Sequence, residues 1–198
     1  MGNRICSLFC GPAWREIDAR WARGEIPTSE RARQQFAFVQ ADSNQIDTLV
    51  DACGIDPAFP ALVSDLRFVG ADVEIVSDGF DYYISRMLAE GGMSDIPYMA
   101  NHLEFCNGAI ELDFPNEHEG CGHCGTCKGV AVRRARARGR LVAYVGDGLS
   151  DVCAAEVADA LFAKGNLAEH CDSNGLAYHS FDTLSDVRGW VGRCLGPK

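Results

Sequence analysis

The stretch LVAYVGDGLSD, residues 141–151, decides the fold, because an apolar run passes into two acidic residues through a Gly-Asp-Gly turn. The apolar run is typical of a buried strand, and open α/β sheets bind ligands at the carboxyl ends of such strands. Asp147 and Asp151 stand four residues apart, so a helix beginning here brings both carboxylates to one pocket. Hard oxygen ligands of this kind favour Mg²⁺. The alternative is a plain strand-turn-helix junction with Asp151 near the helix start.

The composition is that of a globular protein and argues against several classes of partner. The 198 residues are 47% hydrophobic and carry a net charge of −10. A chain this acidic is not expected to bind nucleic acid or an anionic membrane. The sequence shows neither an apolar run of membrane-spanning length nor the apolar core of a secretory signal. We therefore expect a cytoplasmic protein that has no membrane or nucleic-acid partner, and a homo-oligomer is left open.

The chain has ten cysteines, scattered through predicted helices and strands, which indicates a reduced interior. Three of them, Cys121, Cys124 and Cys127, stand close together in the segment CGHCGTC, residues 121–127. This spacing suits a soft metal such as Zn²⁺, although a histidine or Cys106 is needed to complete a tetrahedral site. Free thiols in a tight glycine-rich loop are the alternative interpretation.

Residues 12–60 have a helical pattern with recognisable starts and stops. Four helices are predicted there. The first opens at Pro12, the second is capped by Thr28 or Ser29, the third is capped by Ser43, and the fourth is opened by Asp56-Pro57. This pattern predicts a small helical bundle.

From Asp72 onward, short apolar runs alternate with helices, which is the signature of a parallel sheet. Strands are predicted at 73–76, 141–145 and 160–163, and helices at 80–90, 128–138 and 182–191. Two alternating runs around Asn107-Gly108 predict a β-hairpin, beside the site rather than in the main sheet. The predicted regions are an N-terminal remnant (1–10), a helical cap region (11–68) and an α/β core (69–198).

Two further motifs carry chemistry suited to phosphate. The strand at 73–76 runs into Ser77-Asp78-Gly79, and a hydroxyl with exposed N–H groups at a strand end suits a phosphoryl oxygen. Lys128 stands at a predicted helix start, where its charge and the unpaired N–H groups attract a dianion. A common turn and a solvated lysine are the alternatives, so neither motif is decisive alone.

Ser77, Lys128 and the turn at 146–151, in this order, resemble the second, third and fourth motifs of the haloacid dehalogenase (HAD) superfamily of phosphatases. The helical segment before Ser77 and the hairpin sequence NHLEF are similar to the phosphoserine phosphatase-like branch of that superfamily. The segments CGHCGTCKG and ALFAK resemble its subgroup acting on a methionine-salvage diketo phosphate. The resemblance extends over nearly the whole chain from Gly11 onward.

The resemblance implies a Rossmann-like α/β core with a parallel sheet, a small helical cap and a β-hairpin. It also implies a Mg²⁺-dependent phosphomonoesterase acting on a small phosphorylated metabolite. Asp147 would ligate Mg²⁺, and Asp151 would either complete the metal site or bind Lys128. Residues 77–79 and Lys128 would bind the phosphate, with Ser77, Lys128 and Asp151 as the catalytic set.

The nucleophile of that family has no counterpart near the start of this sequence. The family uses an Asp-x-Asp pair at the end of a first, central strand, whereas the first aspartate here is Asp18, in a helical segment. We therefore expect the central strand to be missing, through a real truncation or a mis-assigned start codon, and residues 4–10 to form a helix. Loss of a nucleophile predicts an impaired phosphatase. A catalytically inactive module that binds phosphate and Mg²⁺ and a zinc-stabilised binding protein are the alternatives.

Overall fold

The computed structural model describes residues 1–194, so the last four residues of the predicted core, 195–198, lie outside the described part. The chain divides into two compact units. The first comprises residues 1–54 and 75–127, and the second comprises residues 55–74 and the chain from residue 128 onward. Across the described residues, none of the helices has the length and apolar character required to cross a membrane.

The helices and strands alternate as expected for an α/β protein. The helices are α1 (Gly2–Phe9), α2 (Trp14–Ala22), α3 (Thr28–Phe36), α4 (Ser43–Asp51), α5 (Phe59–Phe68), α6 (Asp81–Glu90), α7 (Lys128–Ala137), α8 (Val152–Ala155), α9 (Gly165–Asn174) and α10 (Leu184–Cys194). The strands are β1 (Ile75–Phe80), β2 (Tyr98–Cys106), β3 (Ala109–Asp113), β4 (Ala143–Gly146), β5 (Ala160–Ala163) and β6 (His179–Ser180). Helix α1 confirms the prediction that residues 4–10 are helical rather than extended.

Two of the predicted helix caps were wrong by one position. At α4 the cap is Asp42 rather than Ser43, because the Asp42 carboxylate accepts the Gln45 N–H at 2.9 Å and the Gln45 side chain accepts the Asp42 N–H at 3.0 Å. This reciprocal pair is a capping box. Helix α3 begins at Thr28, whose hydroxyl accepts the indole N–H of Trp21 at 2.9 Å instead of capping the helix.

The first unit contains a three-stranded sheet in the order β1-β2-β3. Strand β2 pairs in parallel with β1 and antiparallel with β3. The hairpin between β2 and β3 turns at Asn107 and Gly108, whose φ angles of 52° and 82° suit a tight turn. The hairpin was therefore predicted correctly. Its placement outside the main sheet was wrong, because its first strand, β2, pairs with β1 on one edge and with β3 on the other.

The apolar core of the first unit lies where α1, α3, α4 and α6 pack with the sheet. Its buried residues include Ile5, Phe36, Val50, Phe80 and Leu103. The Phe80 ring lies edge-on to Phe36, with ring centroids 5.1 Å apart, so the carboxyl end of β1 is anchored in the core.

His102 in β2 lies beside carboxylates of the hairpin and of α6. Its Nδ1 lies 2.7 Å from one oxygen of Asp81, and the Leu103 N–H donates to the other oxygen at 3.1 Å. The hydrogen bond and charge of Asp81, with smaller contributions from Glu104 and Asp113, raise the pKa of His102 above its usual value. This pair joins α6 to the hairpin.

Replacing His102 with glutamine is expected to lower stability in acid but not in base. A group whose pKa is raised by folding stabilises the protein below its unfolded pKa of about 6.5, and loses that contribution as the pH rises through the folded pKa. The His102 side chain is 49% exposed. We therefore expect a loss of only about 1–3 °C in Tm near pH 5.5 and none near pH 9. Thermal unfolding at both pH values checks this, with His170→Gln as the control; an equal loss at both would contradict it.

The second unit contains a parallel three-stranded sheet in the order β4-β5-β6. Gly146 at the end of β4 is paired with Ala163 at the end of β5, so the two strands end together. The core of this unit includes Leu62 of α5, Phe162 of β5 and Val187 of α10. The parallel strands and intervening helices confirm the predicted Rossmann-like α/β class, and the described strands form two three-stranded sheets.

Candidate functional site

The Gly-Asp-Gly turn after β4 is closed by the carboxylate of Asp151. One oxygen of this carboxylate, Oδ2, accepts the N–H groups of Asp147 and Gly148, each at 3.0 Å. A Cβ at Gly146 would lie only 2.7 Å from the same oxygen, so this position requires glycine. Residues 149–151 form a short 3₁₀ helix that carries Asp151 back over the turn. The motif is therefore a self-closing turn at the carboxyl end of a strand.

The second oxygen of Asp151 holds two further groups. The Tyr144 hydroxyl donates to Oδ1 at 2.8 Å, and the Lys128 ammonium lies 3.7 Å from it while donating to the Ser150 hydroxyl at 2.9 Å. Asp151 and Lys128 are only 6% and 4% exposed. Because both oxygens of Asp151 are engaged, the geometry favours the interpretation that Asp151 binds Lys128 over the interpretation that it ligates a metal directly.

Asp147 has the opposite environment. Its side chain is exposed, and within residues 1–194 its carboxylate has no hydrogen-bond or ion-pair partner. Its main chain is fixed, since the N–H donates to Asp151 and the carbonyl accepts the Leu167 N–H at 3.3 Å. An accessible carboxylate on a rigid turn suits Mg²⁺, which binds through one or two carboxylates and keeps several waters.

Lys128 is the first residue of α7, as the sequence predicted. The next residue, Gly129, packs against the segment that follows the turn, and its N–H donates to the Cys153 thiol at 3.3 Å. A Cβ at Gly129 would lie 2.5 Å from the Cys153 carbonyl oxygen. The start of α7 can therefore approach this segment only because residue 129 is glycine.

In the first unit, Ser77-Asp78-Gly79 lies within β1, so the prediction of a strand ending before Ser77 was wrong. Val76 pairs with Met99 and Phe80 pairs with Asn101. Between these two pairs β1 contains three residues, whereas β2 contains one. The three residues therefore form a bulge between two paired positions. The Ser77 hydroxyl accepts the Gly79 N–H at 2.9 Å, which orders the bulge from within.

Asp78 is held by residues that the sequence analysis did not single out. Its carboxylate accepts the Thr126 N–H at 2.7 Å, and its main-chain carbonyl accepts the Asn101 side-chain amide at 2.8 Å. The Thr126 hydroxyl donates to the Asn101 carbonyl oxygen at 3.1 Å. Asp78, Asn101 and Thr126 thus form a closed polar triangle behind the bulge.

The cysteine loop supplies Thr126 to this triangle. Cys124 and Cys127 are buried, Cys121 is partly buried, and no disulfide joins any of the ten cysteines, all of which lie within residues 1–194. The backbone of the loop is tied to α3, because the Thr28 N–H donates to the His123 carbonyl at 2.8 Å. A zinc site at these cysteines stays a prediction.

The predicted site residues therefore form two groups. Lys128, Asp147 and Asp151 come together in the second unit, and residues 77–79 form the bulge of the first unit. Tyr144 was missed, although its place three residues before Asp147 in a strand that ends at the turn is visible in the sequence. Asn101 and Thr126 were missed because no spacing pattern connects them with Asp78.

The fold is similar to that of solved phosphoserine phosphatases. A solved structure of phosphoserine phosphatase, a phospho-aspartyl intermediate analogue, superposes with a TM-score of 0.68. It is 18% identical, and the match covers 96% of this chain and 88% of that chain. At this identity the likeness is one of fold.

Relatives that are similar in sequence carry the name of one particular phosphatase. A 2-hydroxy-3-keto-5-methylthiopentenyl-1-phosphate phosphatase of Brevibacillus brevis is 28% identical over 92% of this chain and 84% of its own length. The protein of the same name from Exiguobacterium sibiricum is 29% identical over 78% of this chain and 72% of its own length. No family model matches the chain. The comparisons confirm the resemblance to HAD phosphatases close to the methionine-salvage subgroup.

Proposed function

We propose that this protein is a Mg²⁺-dependent phosphomonoester hydrolase that acts in the cytoplasm on a small phosphorylated metabolite. The observation that carries the proposal is the buried Lys128–Asp151 pair beneath a turn that leaves Asp147 exposed. A cation fixed beside an accessible carboxylate suits a phosphate dianion accompanied by a divalent metal. The names of the relatives support a hydroxy-keto phosphate ester as the substrate class.

Each residue has a role that its surroundings support. In the first unit, the Ser77 hydroxyl, which accepts the Gly79 N–H, would donate its proton to a phosphoryl oxygen, and the main chain of residues 77–79 would contact the phosphate. In the second unit, Lys128 would offer a positive charge to a phosphate. Asp147 would hold Mg²⁺, which when bound supplies further charge neutralisation on the phosphoryl group. Asp151 would act by orienting Lys128 and by keeping the turn closed. These roles are positioning and electrostatic, which is what phosphoryl transfer mainly requires.

Replacing Asp147 with asparagine is expected to abolish Mg²⁺ binding while leaving the fold intact. At a Mg²⁺ concentration about tenfold above its Kd, binding stabilises the folded protein by about 1.4 kcal/mol, or about 3–6 °C in Tm. Differential scanning fluorimetry with and without Mg²⁺, and with EDTA added, measures this rise. Asp182→Asn changes another exposed acid of the same unit and is expected to keep the rise. A rise that survives in Asp147→Asn would refute the metal assignment.

Turnover by these 198 residues is expected to be low, since they contain no Asp-x-Asp pair. Removal of the nucleophile from a covalent enzyme costs on the order of a million-fold in rate. A form in which a strand ending in Asp-x-Asp precedes Met1 is expected to hydrolyse p-nitrophenyl phosphate with Mg²⁺, whereas the 198 residues alone are not. Equal rates from the two forms would contradict this account of the nucleophile.

A further inference from the structure

The bulge at Ser77-Asp78-Gly79 has little support from its own sheet. The pairing with β2 is interrupted between Val76, which pairs with Met99, and Phe80, which pairs with Asn101. The internal hydrogen bond between Ser77 and Gly79 shapes the bulge but does not tie it to the rest of the unit. The contacts of Asp78, which lies between these two residues, do tie the bulge to the rest of the unit.

Two of the groups that hold Asp78 are completely buried. Asn101 and Thr126 are both 0% exposed. A buried amide or hydroxyl is costly unless its hydrogen bonds are made, and here the Asn101 amide donates to the Asp78 carbonyl while its oxygen accepts the Thr126 hydroxyl. A carbonyl can only accept, so the Asp78 carbonyl fixes which way the Asn101 amide faces.

The cysteine loop is shaped around this amide. A Cβ at Gly125 would lie 3.0 Å from the Asn101 nitrogen and 3.2 Å from its oxygen, so a side chain at residue 125 would press on it. The absence of a side chain there lets Thr126 reach both the Asn101 oxygen and the Asp78 carboxylate. The triangle is thus closely packed, and a hydrogen bond joins each pair of its three residues.

We infer that Asn101 and Thr126 are positioning residues that hold the Ser77–Gly79 bulge in the orientation that binds a phosphate group. This inference rests on the proposed function, in which that bulge contacts the phosphoryl oxygens. Neither side chain contacts the ligand itself. Asn101 fixes the Asp78 main chain directly, and the Thr126 hydroxyl fixes the rotation of Asn101. Their loss is therefore expected to weaken phosphate binding more than it weakens the fold.

The test compares phosphate affinity with stability in matched variants. Thr126→Val keeps the size of the side chain and the N–H bond to Asp78 but removes the hydroxyl, whereas Thr126→Ser retains the hydroxyl. Asn101→Asp puts an oxygen in place of the donor to the Asp78 carbonyl. Asn116→Ala is the control, because Asn116 donates to the Ala100 carbonyl at 2.9 Å beside the same strand and does not contact the bulge.

Inorganic phosphate is the probe, titrated calorimetrically with Mg²⁺ present into each variant of the 198-residue chain, and Tm is measured without phosphate. We expect Thr126→Val to weaken phosphate binding by about 3- to 10-fold and Asn101→Asp by more than about tenfold, as a lost buried hydrogen bond suggests. Thr126→Ser is expected to stay within about twofold of the wild type. Asn116→Ala is expected to lower Tm without changing phosphate affinity.

Two outcomes would overturn the inference in distinguishable ways. If the wild type and Thr126→Val bind phosphate equally well, the positioning role is wrong and the proposed function stands. The same holds if the loss of phosphate affinity, divided by the loss in Tm, is as large for Asn116→Ala as for Thr126→Val. If the wild type binds no phosphate, or if Ser77→Ala binds phosphate as tightly as the wild type, the proposed function fails and the inference fails with it. Should Asn101→Asp not fold, the two Thr126 variants decide.

Discussion

Replacing Gly129 with alanine is expected to destabilise the second unit by about 2–4 kcal/mol, although alanine is ordinarily the better helix former. The added Cβ would lie 2.5 Å from the Cys153 carbonyl oxygen and 3.0 Å from its carbonyl carbon. Because these are main-chain atoms, they cannot swing aside as the end of a flexible side chain can. The start of α7 must move away instead, which also breaks the bond from the Gly129 N–H to the Cys153 thiol. Unfolding in urea measures the loss.

Gly192→Ala is the matched control for this prediction. Gly192 lies in α10, and a Cβ there would meet nothing within 4 Å. The same substitution in that helix is expected to be neutral or to stabilise by up to about 1 kcal/mol, through helix propensity alone. If the two variants unfold at the same denaturant concentration, the close approach of α7 to Cys153 is not required. Since Lys128 directly precedes Gly129, we also expect the Gly129 variant to lose phosphate affinity.

Replacing Asp151 with asparagine is the other change with a large expected effect, a loss of about 3 kcal/mol of stability. The carboxylate accepts from two N–H groups on one oxygen and from the Tyr144 hydroxyl on the other. An amide must direct its NH₂ group at one of these sets of donors. The substitution also removes the negative charge that lies 3.7 Å from the buried Lys128 ammonium. Chemical denaturation measures the loss.

Asp147→Asn is the control, because it changes an exposed acid of the same turn. It is expected to alter stability by less than about 0.5 kcal/mol while abolishing Mg²⁺ binding. A double-mutant cycle with Lys128→Met separates the charge contribution, since removing the buried cation is expected to restore part of the stability lost in Asp151→Asn. If Asp147→Asn destabilises the protein as much as Asp151→Asn does, the assignment of a structural role to one acid and a metal role to the other is wrong.

The features that the sequence predicted well have local causes. The hairpin turns at Asn107-Gly108 because these two residues tolerate positive φ angles in succession. The strand predicted at 141–145 is observed at Ala143–Gly146 and runs into the Gly-Asp-Gly turn, where the glycines permit a sharp change of direction. The family resemblance also depends on such short segments. Each of these interactions lies within a few residues of the chain.

The features that the sequence predicted poorly depend on a choice between two adjacent capping residues or on pairing with a strand that is distant in the sequence. Asp42 and Ser43 are both good capping residues, and the dihedral angles of the folded chain decided between them. The hairpin strand β2 joins the main sheet through pairing with β1, more than about twenty residues away. The bulge in β1 exists only against that partner, so the apolar pattern of residues 73–76 could not show where the strand ends.

By itself, the sequence determined the strand that ends in the Gly-Asp-Gly turn, the Asn-Gly hairpin, the helix that begins at Lys128 and the alternation of strands and helices. The physical reason is that backbone dihedral preferences and side-chain bonds over three or four residues are sufficient to form them. Only the tertiary structure decided that Asp151 accepts the Tyr144 hydroxyl and pairs with Lys128, while Asp147 stays accessible. It alone also decided that Asn101 and Thr126 donate hydrogen bonds to Asp78. Buried polar groups must find partners wherever packing places them, and that placement is set by the whole fold.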